Sequence, residues 1–425
     1  MMREVISGAY LRGSGALRHR DFRWVLLGGL SGQSAYWALI IARGVFILAA
    51  TGSSGLVGLA TFAAMAPRFI VPPLSGYVSD RFDRRTVLAA AYGFQLGHAV
   101  LLSALALTDS IEVWQIVALA LIDGSFRTFQ ITATQSLIPN LVPRNLLLNA
   151  VALNQLAIQG SRLVGPAVIA PLLLLQGPQA AFVASIFLYA FGIASVMAIR
   201  VRSSGELTGG EKLAASLWAA YRFVWGNRPL RWLFILVALH CAMTMSFESM
   251  LPVLARDALG EATASVSYLM MGVGGGAVVG VVIVAGLQSA ALRGQALLVT
   301  GLLSGASMVL LAVSSNVTVA IVGAAAMGGS QAAFMAIGIA MIQSLAPDGM
   351  RGRITGLEQI NIGGNMAVLN LVNGIAADAV GAPAVLTVMG TGFVAVVFIS
   401  LAVATLRAIY SGALRAASGS VAVHA

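Results

Sequence analysis

Residues 180–199 read AAFVASIFLYAFGIASVMAI and contain no charged side chain. A helix needs about 20 consecutive apolar residues to cross a bilayer, so this stretch predicts a membrane-spanning helix. Other stretches of the chain meet the same requirement. The predicted spans are 23–50, 55–78, 86–107, 112–137, 146–175, 180–199, 230–254, 264–287, 295–314, 317–345, 354–378 and 382–406. The third, sixth, ninth and twelfth spans carry no charge, and neither do the eighth and tenth. The regular recurrence of the first four predicts that these four face lipid while charged spans line a polar interior.

The composition indicates a membrane protein. Hydrophobic residues make up 59% of the chain, charged residues make up 9%, and the mean hydropathy is +0.90. Soluble domains contain about 25% charged residues. The net charge of +10 does not indicate nucleic-acid binding, because most of the arginines lie in loops between the spans. Nearly all of them fall on one side and Arg256 stands alone on the other, so the positive-inside rule predicts that both termini are cytoplasmic.

Two rare residues bear on the compartment. Lys212 is the only lysine, which is typical of the coding bias of a GC-rich bacterium and favours a bacterial cytoplasmic (inner) membrane. Cys241 is the only cysteine, so an internal disulfide is excluded and a cysteine-based metal site is not expected.

A polar stretch near the middle of the chain predicts the domain organisation. Residues 201–229 contain an amphipathic segment from Glu211 to Trp225, which predicts a linker helix on the inner membrane surface. The predicted domains are an N-terminal six-helix bundle over 1–200, the cytoplasmic linker over 201–229 and a C-terminal six-helix bundle over 230–425. Short sequence echoes after corresponding spans favour a duplicated six-helix unit.

The most specific motif is Gly76-Tyr-Val-Ser-Asp-Arg-Phe-Asp-Arg-Arg85, between spans two and three. It resembles the signature loop of the major facilitator superfamily. Asp83 replaces the usual glycine, a variant found in the enterobactin-exporter and macrolide-efflux-like branch. The segment Pro347-Asp-Gly-Met-Arg-Gly-Arg353 also resembles that branch. Gly165-Pro166 in span five is similar to the antiporter motif, although Ala170 and Pro171 stand where that motif prefers glycine.

This resemblance implies an all-α membrane protein with twelve transmembrane helices in two pseudo-symmetric six-helix bundles, the major facilitator fold. In that fold the acidic residue of the signature loop lies near the start of span eleven, where a helix N-terminus attracts a carboxylate. Asp80 is therefore predicted to latch the two halves on the cytoplasmic side; the alternative is that the loop arginines only set topology. The predicted gating residues are Gly76, Asp80, Arg81, Arg84, Arg85, Arg351 and Arg353.

Three carboxylates inside the predicted spans, Asp123, Glu248 and Glu358, are candidates for proton coupling. A charged carboxylate is costly in the membrane, which suits a residue that binds and releases a proton. Each has a structural alternative. Asp123 and Arg127 are spaced i, i+4 and could form a self-neutralising pair. Glu248 could join helices near the outer surface, and Glu358 lies early in its span, where the helix dipole favours a carboxylate.

The candidate substrate-binding residues are polar, charged or aromatic side chains within the spans. They are Gln33, Tyr36, Trp37, Arg43, Arg127, Gln130, Asn154, Arg162, Gln331, Asn361 and Asn365. Tyr36 and Trp37 could equally be helix contacts. The interior charge is positive in the first half and negative in the second, which fits an amphiphilic or zwitterionic substrate or mutual neutralisation of the halves.

Other residues favour packing roles. His98 and His240 lack partners at metal-ligand spacing, so we expect packing or hydrogen-bonding roles for them and no metal site. Gly272, Gly276 and Gly280 follow the small-xxx-small spacing of closely packed membrane helices.

By resemblance, the predicted function is secondary active export of amphipathic small molecules of the drug, macrolide or siderophore type, by proton antiport with alternating access. A proton-coupled importer of a small metabolite with the same fold is the alternative. The sequence has no phosphate-binding loop of the Walker type, so ATP-driven transport by this chain is not expected. Nor do we expect an enzyme, a cofactor or a nucleic-acid partner; the expected partners are the substrate, protons and the bilayer, and the expected oligomeric state is a monomer.

Overall fold

A computed structural model of the chain describes residues 15–201, 203, 213–260, 262–287, 289–347 and 350–413. These residues form helices and contain no strand. In chain order the α-helices are α1 (Arg20–Thr51), α2 (Ser54–Met65), α3 (Pro67–Arg81), α4 (Arg84–Leu107), α5 (Val113–Leu137), α6 (Leu147–Gln176), α7 (Pro178–Met197), α8 (Leu213–Gly226), α9 (Arg228–Met243), α10 (Leu251–Leu259), α11 (Ala262–Ala285), α12 (Ala290–Val313), α13 (Val317–Leu345), α14 (Arg351–Val380), α15 (Ala382–Ser400) and α16 (Ala404–Tyr410).

Eleven helical segments of the described chain are long and apolar enough to cross a membrane. The predicted all-α membrane fold is therefore confirmed. Helices α4 and α7, which correspond to the charge-free spans three and six, expose large apolar side chains such as Phe94 and Phe187. The inward faces of the same two helices carry polar side chains, so a span without charge also contributes to the polar interior.

The chain divides into two compact units. Unit 1 takes the described residues within Met1–Phe46 and Ala66–Gly209, and unit 2 takes those within Ile47–Met65 and Gly210–Ala425. In unit 1, α5 packs against α3 and α4, and α7 packs against α4 and α6. In unit 2, α13 packs against α11 and α12, and α12 also packs against α15.

Close helix packing in both units depends on glycine. In unit 2, a Cβ on Gly276 of α11 would collide with the backbone carbonyl of Ala325 in α13, and one on Gly280 would collide with that of Gly329. This confirms the packing role predicted for the glycine repeat. In unit 1, a Cβ on Gly165 of α6 would collide with the carbonyl of Ser34 in α1.

The predicted span seven, 230–254, is not one helix. Helix α9 ends at Met243, α10 begins at Leu251, and Thr244–Met250 between them is not helical. Exposed backbone groups are not tolerated in lipid, and the seven intervening residues are all buried. Polar side chains of neighbouring helices bind their backbone. The prediction of a continuous span was wrong here, because 244–250 contains no proline or glycine that would mark the end of a helix.

The predicted span two, 55–78, is also divided, at Ala66 between α2 and α3. Pro67 occupies the first position of α3, where a missing N–H costs least. Helix α2 packs against α14 within unit 2. At its N-terminus, Asp378 of α14 accepts hydrogen bonds from Ser53 Oγ at 2.8 Å, Ser54 N at 2.5 Å and Gly55 N at 2.9 Å. A carboxylate is stabilised at a helix N-terminus because it satisfies free N–H groups there.

Candidate functional site

A buried ion pair lies inside unit 1. Arg43 of α1 donates from Nη2 to Asp123 Oδ2 of α5 at 3.0 Å. The side chains are 2% and 0% exposed, so each charge depends on the other. The spacing of Asp123 and Arg127 suggested a local pair, but the structure pairs Asp123 with Arg43, from a distant span.

Neutral side chains from α4 and α7 complete the surroundings of Asp123. Tyr189 donates to its Oδ1 at 3.1 Å and Gln95 to the same oxygen at 3.4 Å. His98 Nε2 lies 2.9 Å from Arg43 Nη2, and its Nδ1 lies 4.0 Å from Asp123 Oδ1. We name Arg43, Gln95, His98, Asp123 and Tyr189 the ion-pair cluster.

Arg127 faces a different set of groups on α1. It donates to Gln33 Oε1 from Nη2 at 2.7 Å and from Nε at 3.2 Å. Its guanidinium lies 3.7 Å from the centre of the Tyr36 ring, within the range of a cation–π interaction. The structure therefore brings three predicted binding residues into one contact.

Arg162 and Trp37 form a second contact of this kind. The Arg162 guanidinium lies 4.4 Å from the centre of the Trp37 ring, and Trp37 meets the Tyr36 ring edge to face at 5.3 Å. Arg162 stands one turn before Gly165, which allows α6 to approach α1 closely. The aromatic pair thus links the two arginines.

A small cavity of about 20 Å³ lies between α1, α5 and α6. It is lined by Gly29, Gln33, Gln130, Ile131, Thr134, Gln135, Asn154, Ala157 and Ile158. Three of the predicted binding residues, Gln33, Gln130 and Asn154, belong to this wall. Gln130 also donates to the Tyr92 hydroxyl at 2.9 Å. The cavity adjoins the Arg127 contact through Gln33.

Unit 2 contains a different polar site, built around the break between α9 and α10. Gln331 of α13 donates to the Thr244 carbonyl at 2.6 Å, and Asn373 of α14 donates to the Ser246 carbonyl at 2.8 Å. Asn370 accepts from Ser249 N at 3.0 Å, while its carbonyl accepts from Ser249 Oγ at 2.9 Å. We name these three amide side chains the amide clamp, because they replace the hydrogen bonds that a continuous helix would make.

Glu248 lies within the break and is 4% exposed. Its Oε2 accepts a hydrogen bond from Asn370 Nδ2 at 3.0 Å. The amide clamp therefore holds both the irregular backbone and the carboxylate. In transporters, interrupted membrane helices commonly line the substrate and ion sites.

The other predicted residues of unit 2 lie further along α14. Glu358 is buried, and Asn365 donates to Asn361 at 2.8 Å. Glu358 precedes Asn370 by twelve residues, which is about 18 Å along a helix. The structure therefore separates Glu358 from the amide clamp, while Gln331 and Glu248 meet at it.

The signature loop binds the ends of neighbouring helices in unit 1. Arg84 donates to the Ser136 carbonyl at 2.8 Å, and Arg85 donates to the Met197 carbonyl at 2.9 Å. Both carbonyls lie in the last turns of helices, where cations are favoured. Asp83, the residue that replaces glycine, accepts from Ser203 N at 2.9 Å. The substituted carboxylate therefore anchors the segment that follows α7.

The remaining predicted gating residues have local contacts. Arg81 donates to the Tyr77 hydroxyl at 2.6 Å, and Arg351 donates to the Gln343 carbonyl at 3.3 Å. Arg353 lies against Met350, and Gly76 lies within α3. The side chain of Asp80 and residues 348–349 lie outside the described part of the structure, so the predicted latch stays a prediction.

Sequence reasoning missed several members of both sites. Gln95, His98 and Tyr189 lie on spans without charge, and Asn370 and Asn373 were not singled out. A usable signal existed for the asparagines, because span eleven holds four of them and intramembrane polar residues mark functional interiors. The sequence contained less indication of a role for His98, because the residues it contacts, Arg43 and Asp123, lie on other spans.

Comparison with known families identifies the chain. Residues 13–418 match the family described as Transmembrane secretion effector. The chain belongs to this family. Its members are transporters of the major facilitator superfamily, so the resemblance carried by the signature loop is confirmed. The chain is accordingly a multi-pass membrane transporter and not an enzyme.

Relatives within the family support the predicted branch. The chain is 26% identical over 364 residues to the enterobactin exporter EntS of Shigella boydii serotype 4, covering 84% of this chain and 86% of the relative. The same figures hold for the enterobactin exporter EntS of Escherichia coli strain SE11.

Solved structures of other transporters superpose on this chain over most of its length. A POT family transporter, solved in complex with a thioalcohol-conjugated peptide, superposes with a TM-score of 0.73 at 11% identity, covering 90% of this chain and 96% of that chain. The nucleoside transporter NupG superposes with a TM-score of 0.73 at 9% identity, covering 92% of this chain and 100% of that chain. At such identities the likeness concerns the fold alone.

Proposed function

We propose that this transporter exports amphipathic small molecules from the bacterial cytoplasm in exchange for protons. The observation that carries the proposal is the ion-pair cluster, a charged group sealed inside the membrane-spanning unit 1 next to the Arg127–Tyr36 contact. Buried charges in a membrane protein are costly and mark transport pathways and proton relays. Similarity to enterobactin exporters supports export as the direction.

The binding surface of unit 1 supports an amphipathic substrate. Tyr36 and Trp37 offer aromatic faces, the two arginines above them offer positive charge, and Gln33, Gln130 and Asn154 offer amide hydrogen bonds. Such a mixture of apolar walls and few polar groups suits a small molecule with aromatic and acceptor groups. Enterobactin and macrolide antibiotics are therefore the first compounds to test.

Proton coupling is proposed for two places, the ion-pair cluster at Asp123 and the amide clamp at Glu248. We propose alternating access, with each unit contributing its polar site to the cycle, and a topology with both termini in the cytoplasm.

Asp80 is proposed as an inner latch at the start of α14. Loss of transport in Asp80→Asn at a normal membrane level would support the latch, and normal transport would contradict it.

Transport by purified protein in proteoliposomes tests the proposal. Labelled enterobactin and the macrolide erythromycin are offered as substrates, with uridine as a nutrient control. We expect counterflow of one of the first two and a faster flux when an inward proton gradient drives export. Flux indifferent to the gradient would remove proton coupling, and uridine uptake with the proton gradient would favour the importer. Comparing Asp123→Asn with Glu248→Gln then separates the two proton sites.

A further inference from the structure

His98 occupies a position that the transport proposal does not yet use. It lies on α4, 4% exposed, between Arg43 and Asp123. A guanidinium can only donate hydrogen bonds. The 2.9 Å contact from Arg43 Nη2 therefore requires that His98 Nε2 is the acceptor and carries no proton. The neutral ring must then hold its hydrogen on Nδ1, the atom 4.0 Å from Asp123 Oδ1.

For Asp123 to bind a proton, its pair with Arg43 must first separate. Its Oδ2 accepts from Arg43, and its Oδ1 accepts from Tyr189 and Gln95. Protonation would discharge the carboxylate and leave the Arg43 guanidinium buried without its counter-ion, which is strongly unfavourable. Protonation of His98 instead keeps both charges of the Arg43–Asp123 pair and breaks one hydrogen bond, from Arg43 Nη2 to His98 Nε2.

We propose that His98 is a proton-binding site of the transport cycle. A proton from water binds the lone pair of Nε2 and forms an N–H bond, while Arg43 keeps all of its own protons. The hydrogen bond from Arg43 to Nε2 is lost because two donors now face each other. The net charge of Arg43, Asp123 and His98 rises from zero to +1, and Nδ1–H of the imidazolium faces the Asp123 carboxylate.

Protonation of His98 affects the substrate contacts on α1 through the groups that surround the imidazole. Its charged neighbours are Arg43 on α1 and Asp123 on α5, and the titratable Tyr189 on α7 donates to the same Asp123. Arg43 lies seven residues after Tyr36 and ten after Gln33, so all three share one face of α1. Releasing Arg43 from α4 therefore loosens the helix that carries the binding surface. Uptake of a proton on α4 is coupled in this way to substrate contacts on α1.

The inference rests on the proposed proton antiport and is tested in the same proteoliposomes with enterobactin and erythromycin. His98→Gln keeps an acceptor for Arg43 but cannot bind a proton. We expect it to lose the stimulation of flux by a proton gradient by about tenfold. His240→Gln is the matched control, since His240 is buried in unit 2 and bonded to Ser304; it should keep the stimulation.

The outcomes separate the two proposals. If the wild-type protein shows no response to the gradient, proton antiport itself fails. If wild type responds and His98→Gln responds equally, antiport stands and the role of His98 is overturned.

A measurement on the full chain, without any transport assay, keeps the test decisive if His98→Gln does not fold. The protein has four histidines, and ¹⁵N-histidine NMR assigns His98 by elimination with His19→Gln, His240→Gln and His424→Gln. We expect His98 to change from the neutral Nδ1–H form to imidazolium as the pH of the sample is lowered. A ring that stays neutral throughout would contradict the proposal.

Discussion

The polar interiors of the two units differ in what they neutralise. In unit 1 the helices α1, α4, α5 and α7 are continuous, and the buried groups are two opposite charges, Arg43 and Asp123, which neutralise each other. In unit 2 the helix is interrupted between α9 and α10, and the buried groups are backbone N–H and C=O groups of Thr244, Ser246 and Ser249, which form hydrogen bonds with the amide clamp. Both arrangements obey the rule that polar groups in a membrane need partners.

The difference has a physical consequence for change during transport. An ion pair can be altered by one proton, because its energy depends on net charge. A set of amide hydrogen bonds does not titrate, so it changes only when the backbone moves. We therefore expect unit 1 to respond to protons through the ion-pair cluster, whereas in unit 2 Glu248 is a titratable group next to the clamp.

Breaking the ion pair should have the largest effect on stability. Arg43→Leu leaves Asp123 ionised in the interior with only neutral donors, and we expect a loss of about 3–5 kcal/mol in the free energy of unfolding. The measurement is chemical unfolding of the purified protein in detergent. The double variant Arg43→Leu with Asp123→Leu removes both charges and should recover much of the loss. A double variant that is less stable than the single one would show that the pair is not the source of the effect.

Breaking the amide clamp should come next. Asn370→Leu removes the acceptor of Ser249 N and the donor to Glu248. Each orphaned buried group costs about 1–3 kcal/mol, so we expect a loss of about 2–4 kcal/mol in the same unfolding measurement. Asn365→Leu is the matched control on the same helix, because Asn365 is only half-buried and bonds to Asn361. Equal losses in the two variants would contradict a special role for the clamp.

The sequence predicted the helices and the signature loop but not the pairing of side chains in the polar sites. Hydropathy located the helices because a bilayer demands long apolar stretches, and motifs located the signature loop. Local spacing assigned Asp123 to Arg127, yet Arg43, eighty residues away, lies in hydrogen-bonding distance. One sequence contains periodicity along each helix but nothing about which faces of distant helices meet.

The interruption of span seven at 244–250 could not be predicted from the sequence either, because it too depends on contacts between distant helices. Residues 244–250, Thr-Met-Ser-Phe-Glu-Ser-Met, have no proline or glycine to interrupt a helix. Their backbone leaves the helix because Gln331, Asn370 and Asn373 supply alternative partners from other helices. Local propensity cannot reveal such tertiary hydrogen bonds, although the density of asparagines in span eleven indicated a polar face.

Both units contain a glycine at which two helices pack with their backbones in contact, and substitution of these glycines tests the two units separately. Gly276→Ala forces a Cβ against the Ala325 carbonyl, whereas a Cβ on the neighbouring Gly275 meets nothing within 4 Å. We expect Gly276→Ala to lose about 1–3 kcal/mol by overpacking and Gly275→Ala to lose nothing, both measured by chemical unfolding. Similar stabilities for the two variants would mean that α11 and α13 are not in backbone contact.

The equivalent pair in unit 1 lies on α6. A Cβ on Gly165 meets the Ser34 carbonyl, and one on Gly160 meets nothing within 4 Å. Because Ser34 adjoins Gln33 of the cavity wall, Gly165→Ala should reduce counterflow as well as stability. Gly276→Ala, which changes unit 2, should lower stability without reducing counterflow once the folded fraction is matched. Unimpaired counterflow in Gly165→Ala would remove the link between this helix contact and the binding surface.

The smallest effect is expected where a polar group of unit 2 reaches solvent. Asp378 caps the N-terminus of α2 through Ser53, Ser54 and Gly55, but it is exposed. Exposed charges at a helix end contribute about 0.3–1 kcal/mol and are screened by salt. Asp378→Asn should therefore lower stability by this amount at low ionic strength, and the difference should shrink as salt is added during unfolding. A salt-independent loss as large as that of Asn370→Leu would mean that the carboxylate acts as a buried group, and the contrast between the interior amides and this outer cap would no longer hold.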